Sequence, residues 1–291
     1  MEVAQPIRRW KSYGRRWHIV IQQCTHDLRF MLSLIGLLSI SIVVILAPWV
    51  SPHDPIQIDA DRILQAPSWE HPFGTDDLGR DILSRLLWGG RESLRVALLS
   101  VLMGVTAGTL LGLVAGYRGG WIDSICMRLV DILLAFPDLL IILSIIAILG
   151  PGLNTTIVAL SLVYIPGFTR LIRGSVLALR SLDYLVAAQA LGIPHWRIML
   201  HHILPNILPI VIVYSSIGLA GAILIAAGLS YLGLGAQPPS PEWGAMLNEG
   251  RIFLHESWWM SVFPGCAIFI VVICINLLGD SLQHLLHMKQ T

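Results

Sequence analysis

Charged and metal-binding side chains are scarce in this sequence, and their types exclude several chemistries. Only 13% of the 291 residues are charged, and the only two lysines are Lys11 and Lys289. A phosphate-binding GxxxxGK[ST] loop needs a lysine after a glycine-rich turn. Neither lysine has that context, so the chain is not itself an ATPase. The histidines at 201–202 and at 284 and 287 lack partners at ligand spacing, and the four cysteines form no CxxC pair, which argues against a zinc site and a disulfide framework.

Asp138 is the single residue with the clearest potential for chemistry, because it lies in an apolar stretch directly after Pro137. If its helix begins near Arg128, a rise of 1.5 Å per residue places Asp138 about 15 Å into a membrane. A carboxylate at that depth is costly and faces a cavity or a partner helix. We predict that it lines a pathway and favours cationic groups on whatever passes. If the helix begins nearer Leu134, Asp138 lies at the membrane interface and is solvated.

A second group of charges alternates in sign between residues 76 and 95. Helical spacings of i,i+3 and i,i+4 allow local ion pairs among them. We interpret the group as a self-neutralised amphipathic segment at the outer interface, and a docking surface for an external binding protein is the alternative. Its members are Asp76, Asp77, Arg80, Asp81, Arg85, Arg91, Glu92 and Arg95.

The elements that position these residues must be membrane helices. Hydrophobic residues make up 55% of the chain, and the mean hydropathy is +0.72. A soluble globular chain has roughly 45–50% apolar and about 25% charged residues. A soluble enzyme, a secreted disulfide scaffold and a nucleic-acid binder are thereby excluded. A spanning helix needs roughly 20 apolar residues, and uncharged runs cover 30–53, 96–117, 139–169, 198–241 and 257–279.

The longest uncharged runs each contain a boundary. The turn signal at 150–154 splits the run 139–169. Residues 139–149 alone are too short to span, so their helix must begin near Arg128 and include Asp131 and Asp138.

In the preceding helix, glycines recur every fourth residue from Gly104 to Gly116, which predicts close packing against another helix. We predict an all-α integral membrane protein with six transmembrane helices at about 30–50, 96–116, 128–149, 155–172, 206–228 and 258–279.

The distribution of arginines predicts the orientation. With the N-terminus inside, most basic residues near the helix ends face the cytoplasm, so both termini are predicted to be cytoplasmic. We divide the chain into residues 1–95, which hold a cytoplasmic tail, the first helix and a periplasmic elbow, a transmembrane core at 96–282, and a cytoplasmic tail at 283–291.

The loop between the fourth and fifth helices, residues 173–205, is too polar to span. Ser181 can cap a short Ala-rich helix, and Gly192 supplies its left-handed C-cap. Pro194 fits the first turn of a second short helix that ends before Pro205. This helix-Gly-helix segment is either an exposed handle for a partner or a surface loop without one.

These residues resemble a known family. The stretch 184–205, with Ala187, Ala188, Gly192 and His202-Ile203-Leu204-Pro205, resembles the EAA loop of permease subunits of binding-protein-dependent ABC importers. The family commonly has Glu where this chain has Val186. The stretches 73–85 and 232–244 resemble hallmark segments of the peptide/nickel branch, second-permease type. With 276–280, the resemblance covers nearly the whole chain.

The resemblance implies a type I ABC importer permease fold and a multi-pass protein of the bacterial inner (plasma) membrane that moves di-/oligopeptides. It implies that 173–205 is a coupling loop, in which Ala187, Ala188, Gly192, His202 and Pro205 meet an ATPase. The implied partners are a second permease subunit in a heterodimer, one or two cytoplasmic ATPase subunits that hold ATP and magnesium, a periplasmic or lipoprotein substrate-binding protein, and membrane lipid. Neither a cofactor, a metal, a catalytic residue nor a nucleic-acid partner is expected for this chain.

Other functions remain as alternatives. Nickel or metal-chelate complexes and glutathione are alternative cargoes within the same branch. A secondary transporter or channel is the alternative class. It predicts internal inverted repeats and several intramembrane charges, and the sequence shows no such repeat. An intramembrane enzyme lacks a paired nucleophile and base.

Overall fold

The computed structural model describes residues 28–287, with the side chains of residues 28–284; the predicted N-terminal tail and the last residues of the C-terminal tail lie outside this range. The described part is helical, and its one β-bridge joins Thr75 to Asp81. The helices are α1 (Leu28–Ile45), α2 (Ala47–Val50), α3 (Ile82–Arg118), α4 (Gly120–Leu134), α5 (Asp138–Leu149), α6 (Leu153–Arg180), α7 (Asp183–Ala190), α8 (His195–Arg197), α9 (Leu204–Tyr231), α10 (Trp243–Gly250) and α11 (Trp259–His287).

Five stretches are long and apolar enough to cross a membrane: 28–45, 82–118, 153–180, 195–231 and 259–284. The pair α4 and α5 passes the same test only when its two helices are taken together, and they are bent by 86° at the break. Within residues 28–287, the structure therefore holds five single helices that can cross a membrane and one broken segment.

The glycines of α3 pack against α6, as their spacing predicts. A Cβ on Gly104 would lie 2.6 Å from the Cβ of Tyr164, and one on Gly116 would lie 2.9 Å from the Cβ of Val176. The contacts advance in the same direction along both helices, so α3 and α6 run parallel. Glycine is required here because any side chain would push the two backbones apart.

Parallel packing of α3 and α6 explains the broken segment. A chain that leaves α3 at one membrane surface must return to the other surface before it can enter α6. The segment α4–α5 makes that return, so residues 28–287 cross six times. Since α5 has only 12 residues, it is about 18 Å long. It cannot cross the roughly 30 Å hydrocarbon core without α4.

A single helix over 128–149 is therefore wrong. Helix α4 ends at Leu134, three residues before Pro137, and α5 begins at Asp138. Proline disfavours the helical conformation in the residue before it, so the sequence contains the reason for the break.

The other predicted helices exist with different bounds. The largest difference is in α3, which begins at Ile82 and not near 96. Asp81 caps it by accepting a hydrogen bond from the Ser84 amide at 2.8 Å. The charged residues between Ile82 and residue 96 are compatible with a helix that extends beyond the membrane. Helix α6 continues to Arg180, and the predicted 30–50 is interrupted after Ile45. The division of the chain at 95 and 282 stays a prediction, and its first boundary falls inside α3.

Candidate functional site: the coupling loop, the helix break and the cap

Two loop regions lie at opposite ends of α3. With 37 residues, α3 is about 55 Å long. Its first residue follows a layer that we call the cap, formed by residues 51–81 together with α10. At its other end, the Tyr117 hydroxyl lies 2.8 Å from Nδ1 of His195 in the coupling loop. The cap and the coupling loop therefore face opposite sides of the membrane.

The first arm of the coupling loop is α7. Gly192 has φ of +73°, which is the predicted left-handed C-cap, and its N–H donates to the Gln189 carbonyl at 3.0 Å. The prediction for Ser181 is wrong. Its hydroxyl donates to the Ala178 carbonyl at 3.1 Å and so closes the end of α6, while the N-cap of α7 is Leu182 without a side-chain bond.

The second arm does not end before Pro205, as the sequence predicts. The residues from His195 pass through a π-helical turn, Ile198–Ile203, directly into α9, so that 195–231 is one continuous helix. Pro205 follows directly on the π-helical turn, where the regular hydrogen-bond ladder is already shifted: the Leu204 amide donates to the Met199 carbonyl, five residues back. The second arm and the membrane helix α9 are therefore parts of one helix.

The inner face of the coupling loop is anchored to the membrane helices. Leu185 and Ile198 are fully buried and pack with Tyr117, Ile172 and Val176 of α3 and α6. The Gln189 amide donates to the Tyr117 hydroxyl at 3.4 Å, which adds a polar contact. The loop thus touches three membrane helices, α3, α6 and α9.

The outer face of the coupling loop is exposed and apolar. Val186 is 54% exposed and Leu191 is 82% exposed. A contiguous exposed apolar patch typically marks an interaction surface. The Arg197 guanidinium lies over the Trp196 ring, 5.4 Å from its centroid, and adds a positive charge at the edge. The large exposed hydrophobic side chains of the coupling loop are Leu182, Tyr184, Val186, Leu191, Trp196 and Leu200.

The predicted coupling residues do not all share that face. Ala187 and Gly192 are exposed, whereas Ala188 is buried on the inner face. His202 is half-buried and Pro205 is exposed. Of the two alanines, Ala188 therefore packs inward and Ala187 faces out.

Asp138 lies at the break between α4 and α5. Its side chain is exposed, and the break lies about half-way along the segment 120–149 that makes one crossing. Asp131, the other acidic residue predicted within this helix, pairs with Arg170 at 2.6 Å.

The cap contains a buried cluster of ion pairs that we call the ion cluster: Asp76, Arg80, Arg85 and Glu249. Asp76 Oδ2 accepts from Arg80 Nε at 2.7 Å and from Arg85 Nη1. Glu249 Oε2 lies 3.1 Å from Arg80 Nη2 and 2.8 Å from Arg85 Nη2. The side chain of Arg85 is 1% exposed and that of Asp76 is 3% exposed.

This arrangement corrects the interpretation of residues 76–95 as one self-neutralised surface segment. Asp76, Arg80, Asp81 and Arg85 are buried and Asp77 is partly exposed. Arg95 and Glu92, in contrast, form an exposed pair at 3.3 Å. Glu249, the partner that joins the cluster to α10, was missed. No spacing rule connects it to the arginines, because it lies 169 residues from Arg80.

The second hallmark stretch, 232–244, packs on α3 just beyond the end of the first hallmark stretch. Trp243 Nε1 donates to the Leu86 carbonyl at 2.8 Å, and the Ser93 hydroxyl donates to Glu242 Oε1 at 2.8 Å. Gly89 lies so close to the Pro241 carbonyl that no side chain fits. The cap is thus one packed unit built from distant segments.

A trio of His53, His71 and Asp81 in the cap has ligand atoms within 4.8 Å of one another. His71 Nε2 lies 2.9 Å from Arg62 Nη1, and since guanidinium only donates, this nitrogen must accept. Nδ1 of His71 then carries the proton and donates to Asp81 Oδ1 at 2.8 Å. Both nitrogens are occupied, so the trio serves hydrogen bonding and does not offer a metal site.

Six crossings, a parallel glycine-packed helix pair and a two-armed loop opposite a packed cap define a permease of the type I ABC importer fold. A crystal structure of the MetNI methionine ABC transporter in an inward-facing conformation has the same fold: the TM-score is 0.57 at 19% identity, with 70% of this chain and 97% of that chain covered.

Sequence comparison gives the family. Residues 108–290 match the binding-protein-dependent transport system inner membrane component family, and residues 16–67 match the N-terminal TM domain of oligopeptide transport permease C. The chain belongs to this family of inner-membrane permease components, and it is a multi-pass inner-membrane protein. This membership decides against a self-contained secondary transporter or channel.

Two relatives match over most of their length. The chain is 43% identical to the dipeptide transport system permease protein DppC of Alkalihalophilus pseudofirmus, covering 94% of this chain and 90% of the relative. It is 42% identical to the glutathione transport system permease protein GsiD of Pectobacterium atrosepticum, covering 96% and 91%.

Proposed function

We propose that this chain is the second-type permease subunit of an ATP-driven importer of di- and oligopeptides. The 43% identity to a dipeptide permease over 94% of the chain carries this proposal. The similarity to a glutathione permease makes glutathione the second candidate cargo, and it is itself a modified tripeptide. Nickel or metal-chelate complexes remain an alternative from the sequence resemblance alone.

The mechanism follows from the geometry of the coupling loop. ATP binding closes a dimer of separate ATPase subunits, which hold the nucleotide and its magnesium. The apolar outer face of the loop sits on one ATPase and moves with it. Because the second arm is continuous with α9, and α7 packs on α3 and α6, the movement reorients three membrane helices together. Access to the pathway then switches from one side of the membrane to the other.

The assembly and orientation follow from the same reasoning. The coupling loop must face the cytoplasm to meet an ATPase. The described ends, Leu28 and His287, lie on its side of the membrane, which supports cytoplasmic termini. The cap then faces the periplasm and supplies the surface for a substrate-binding protein. A second permease subunit supplies the other half of the pathway.

Uptake by the reconstituted transporter tests the cargo. Proteoliposomes with this chain, its partner permease, the ATPases and the binding protein should accumulate a radiolabelled dipeptide when ATP is supplied. Unlabelled dipeptide should compete at lower concentration than glutathione or a nickel chelate. Preferential uptake of glutathione or of nickel would contradict the peptide assignment and leave the permease assignment intact.

Asp138 is proposed to line the pathway. Its exposure at the helix break, about half-way along the segment 120–149 that makes one crossing, supports a position near mid-membrane. Asp138→Asn keeps the shape and removes the charge. We expect uptake of a lysine-containing dipeptide to fall by about tenfold, equivalent to about 1.4 kcal/mol, and uptake of a neutral dipeptide to change less.

Asp131→Asn is the matched control, because this carboxylate is paired with Arg170 and is not at the break. Both variants are compared by initial uptake rates at equal protein. Equal loss for cationic and neutral peptides, or no loss in Asp138→Asn, would remove Asp138 from the pathway.

A further inference from the structure

An apolar groove lies between α1, α3, α9 and α11 on the cap side of the membrane. Its volume is about 410 Å³, within the range of about 300–1,000 Å³ found for small-molecule sites. The wall is apolar, with Leu37, Leu98 and Ile223 among its residues, and Arg91 and Arg95 are the charged exceptions.

The depth of the groove follows from helix geometry. Arg95 precedes Arg118 by 23 residues of continuous helix, which is about 35 Å. Because the hydrocarbon core is roughly 30 Å thick and Arg118 lies at the coupling-loop surface, Arg95 is at the level of the opposite headgroups and Arg91 is slightly beyond it. On α1, Leu37 lies eight residues before Ile45, which is the cap-side end of that helix. Leu37 therefore lies about 12 Å deeper in the membrane than Ile45. The groove thus runs from the headgroup level into one leaflet.

The two arginines have unused capacity for an anion. Within residues 28–284, Arg91 has no carboxylate at ion-pairing distance, and its guanidinium lies over the Trp88 ring, 5.2 Å from the centroid. Arg95 contacts Glu92 at 3.3 Å through Nη1, and its side chain is 52% exposed. Arginine binds phosphate through paired N–H donors. Cations at the mouth and an apolar wall below match a phosphate group that carries an acyl chain.

We propose that this groove binds one anionic phospholipid of the cap-side leaflet, with its phosphate on Arg91 and Arg95 and an acyl chain along Leu98 and Leu37. A bound lipid fills the space between α1 and the helices α9 and α11. It therefore acts as a structural ligand that holds α1 against the rest of the permease.

Native mass spectrometry of the purified, assembled transporter tests the proposal, with phosphatidylglycerol as the probe and phosphatidylcholine at equal concentration as the comparison. An arginine near an anionic lipid contributes roughly a fivefold gain in binding. We therefore expect Arg91→Gln/Arg95→Gln to lower phosphatidylglycerol retention by at least about tenfold, and Arg91→Lys/Arg95→Lys to retain most of it. The matched control is Arg251→Gln, because Arg251 also lies over an aromatic ring, Tyr231, but not at the groove.

A groove-filling variant separates a lipid from a free phosphate. Ser41 lines the groove, so Ser41→Phe should block the acyl chain and lower retention while leaving both arginines in place. Equal retention in wild type and Arg91→Gln/Arg95→Gln would overturn the proposal, as would retention unaffected by Ser41→Phe. A cross-link from position 98 to the second permease subunit, with no lipid retained, would show that a protein helix fills the groove instead.

Discussion

Replacement of Asp76 by Ala should unfold the cap. Asp76 Oδ2 is shared by Arg80 and Arg85, and Oδ1 accepts from the amides of Leu78 and Arg80, both at 2.9 Å. Removing the carboxylate leaves two buried guanidinium groups, with Glu249 as the anion close to both and Asp77, at 3.7 Å, close to Arg80 alone. Loss of one partner from a buried pair costs about 3–5 kcal/mol, which approaches the whole stability of many proteins. We expect a strongly lowered melting temperature in detergent and little chain in the membrane.

Two further variants distinguish this effect from general damage to the cap. Glu70→Gln also removes one arginine contact, at 3.0 Å from Arg62, but Glu70 is 72% exposed, so the cost should be at most about 1 kcal/mol. Adding Arg85→Met to Asp76→Ala removes one of the unpaired charges and should restore part of the loss. If the free energies of unfolding of Asp76→Ala and Glu70→Gln differ by less than about 1 kcal/mol, the ion cluster does not stabilise the cap.

The cap shows why some of the site was beyond sequence reasoning. The sign alternation from Asp76 to Arg95 predicts local ion pairs at helical spacing. Asp76 and Arg80 do form a local pair, but in a turn that precedes α3 and not on a helix. Spacing rules describe neighbours on one helix, whereas the burial of Arg85 depends on Glu249, far along the chain. Burial and long-range partners come from the packing of α10 on α3, which no local pattern encodes.

The membrane part was more predictable, because its periodicities are local. A glycine every fourth residue predicts a close helix pair without naming the partner, and the structure identifies α6. The same rules, applied to residues 134–138, would have given the break: Pro137 opposes helix in the residue before it. The apolar run 139–149 and the length needed for a full span favour one unbroken helix instead. The parallel order of α3 and α6 shows that a bent segment can make the crossing.

The coupling loop yields the largest functional prediction. Gly192→Pro should abolish ATP-driven uptake, because Gly192 has φ of +73°, whereas proline fixes φ near −65°. Proline also removes the N–H that donates to the Gln189 carbonyl. The turn between the two arms would then reorient α7 away from α9. We expect the ATPase to be lost on purification, together with any peptide-stimulated ATP hydrolysis.

A graded series at the same position isolates the backbone conformation as the cause. No atom lies within 4 Å of a Cβ built on Gly192, so side-chain size is not the obstacle. Asn tolerates the left-handed conformation and should retain nearly normal uptake. Ala pays about 1–2 kcal/mol for it and should be intermediate. Normal uptake and ATPase retention in Gly192→Pro would show that the loop does not couple.

A charge on the outer face separates docking from loop shape. Val186 is 54% exposed, so Val186→Arg should leave the loop folded, yet it would place an unpaired charge in an apolar interface, where burial without a partner is costly. Ile58→Arg is the control, since Ile58 is also exposed but lies in the cap, on the opposite side of the membrane. If Val186→Arg releases the ATPase and Ile58→Arg does not, the outer face is the contact surface. The continuity of the second arm with α9 then explains how a contact made outside the membrane moves helices inside it.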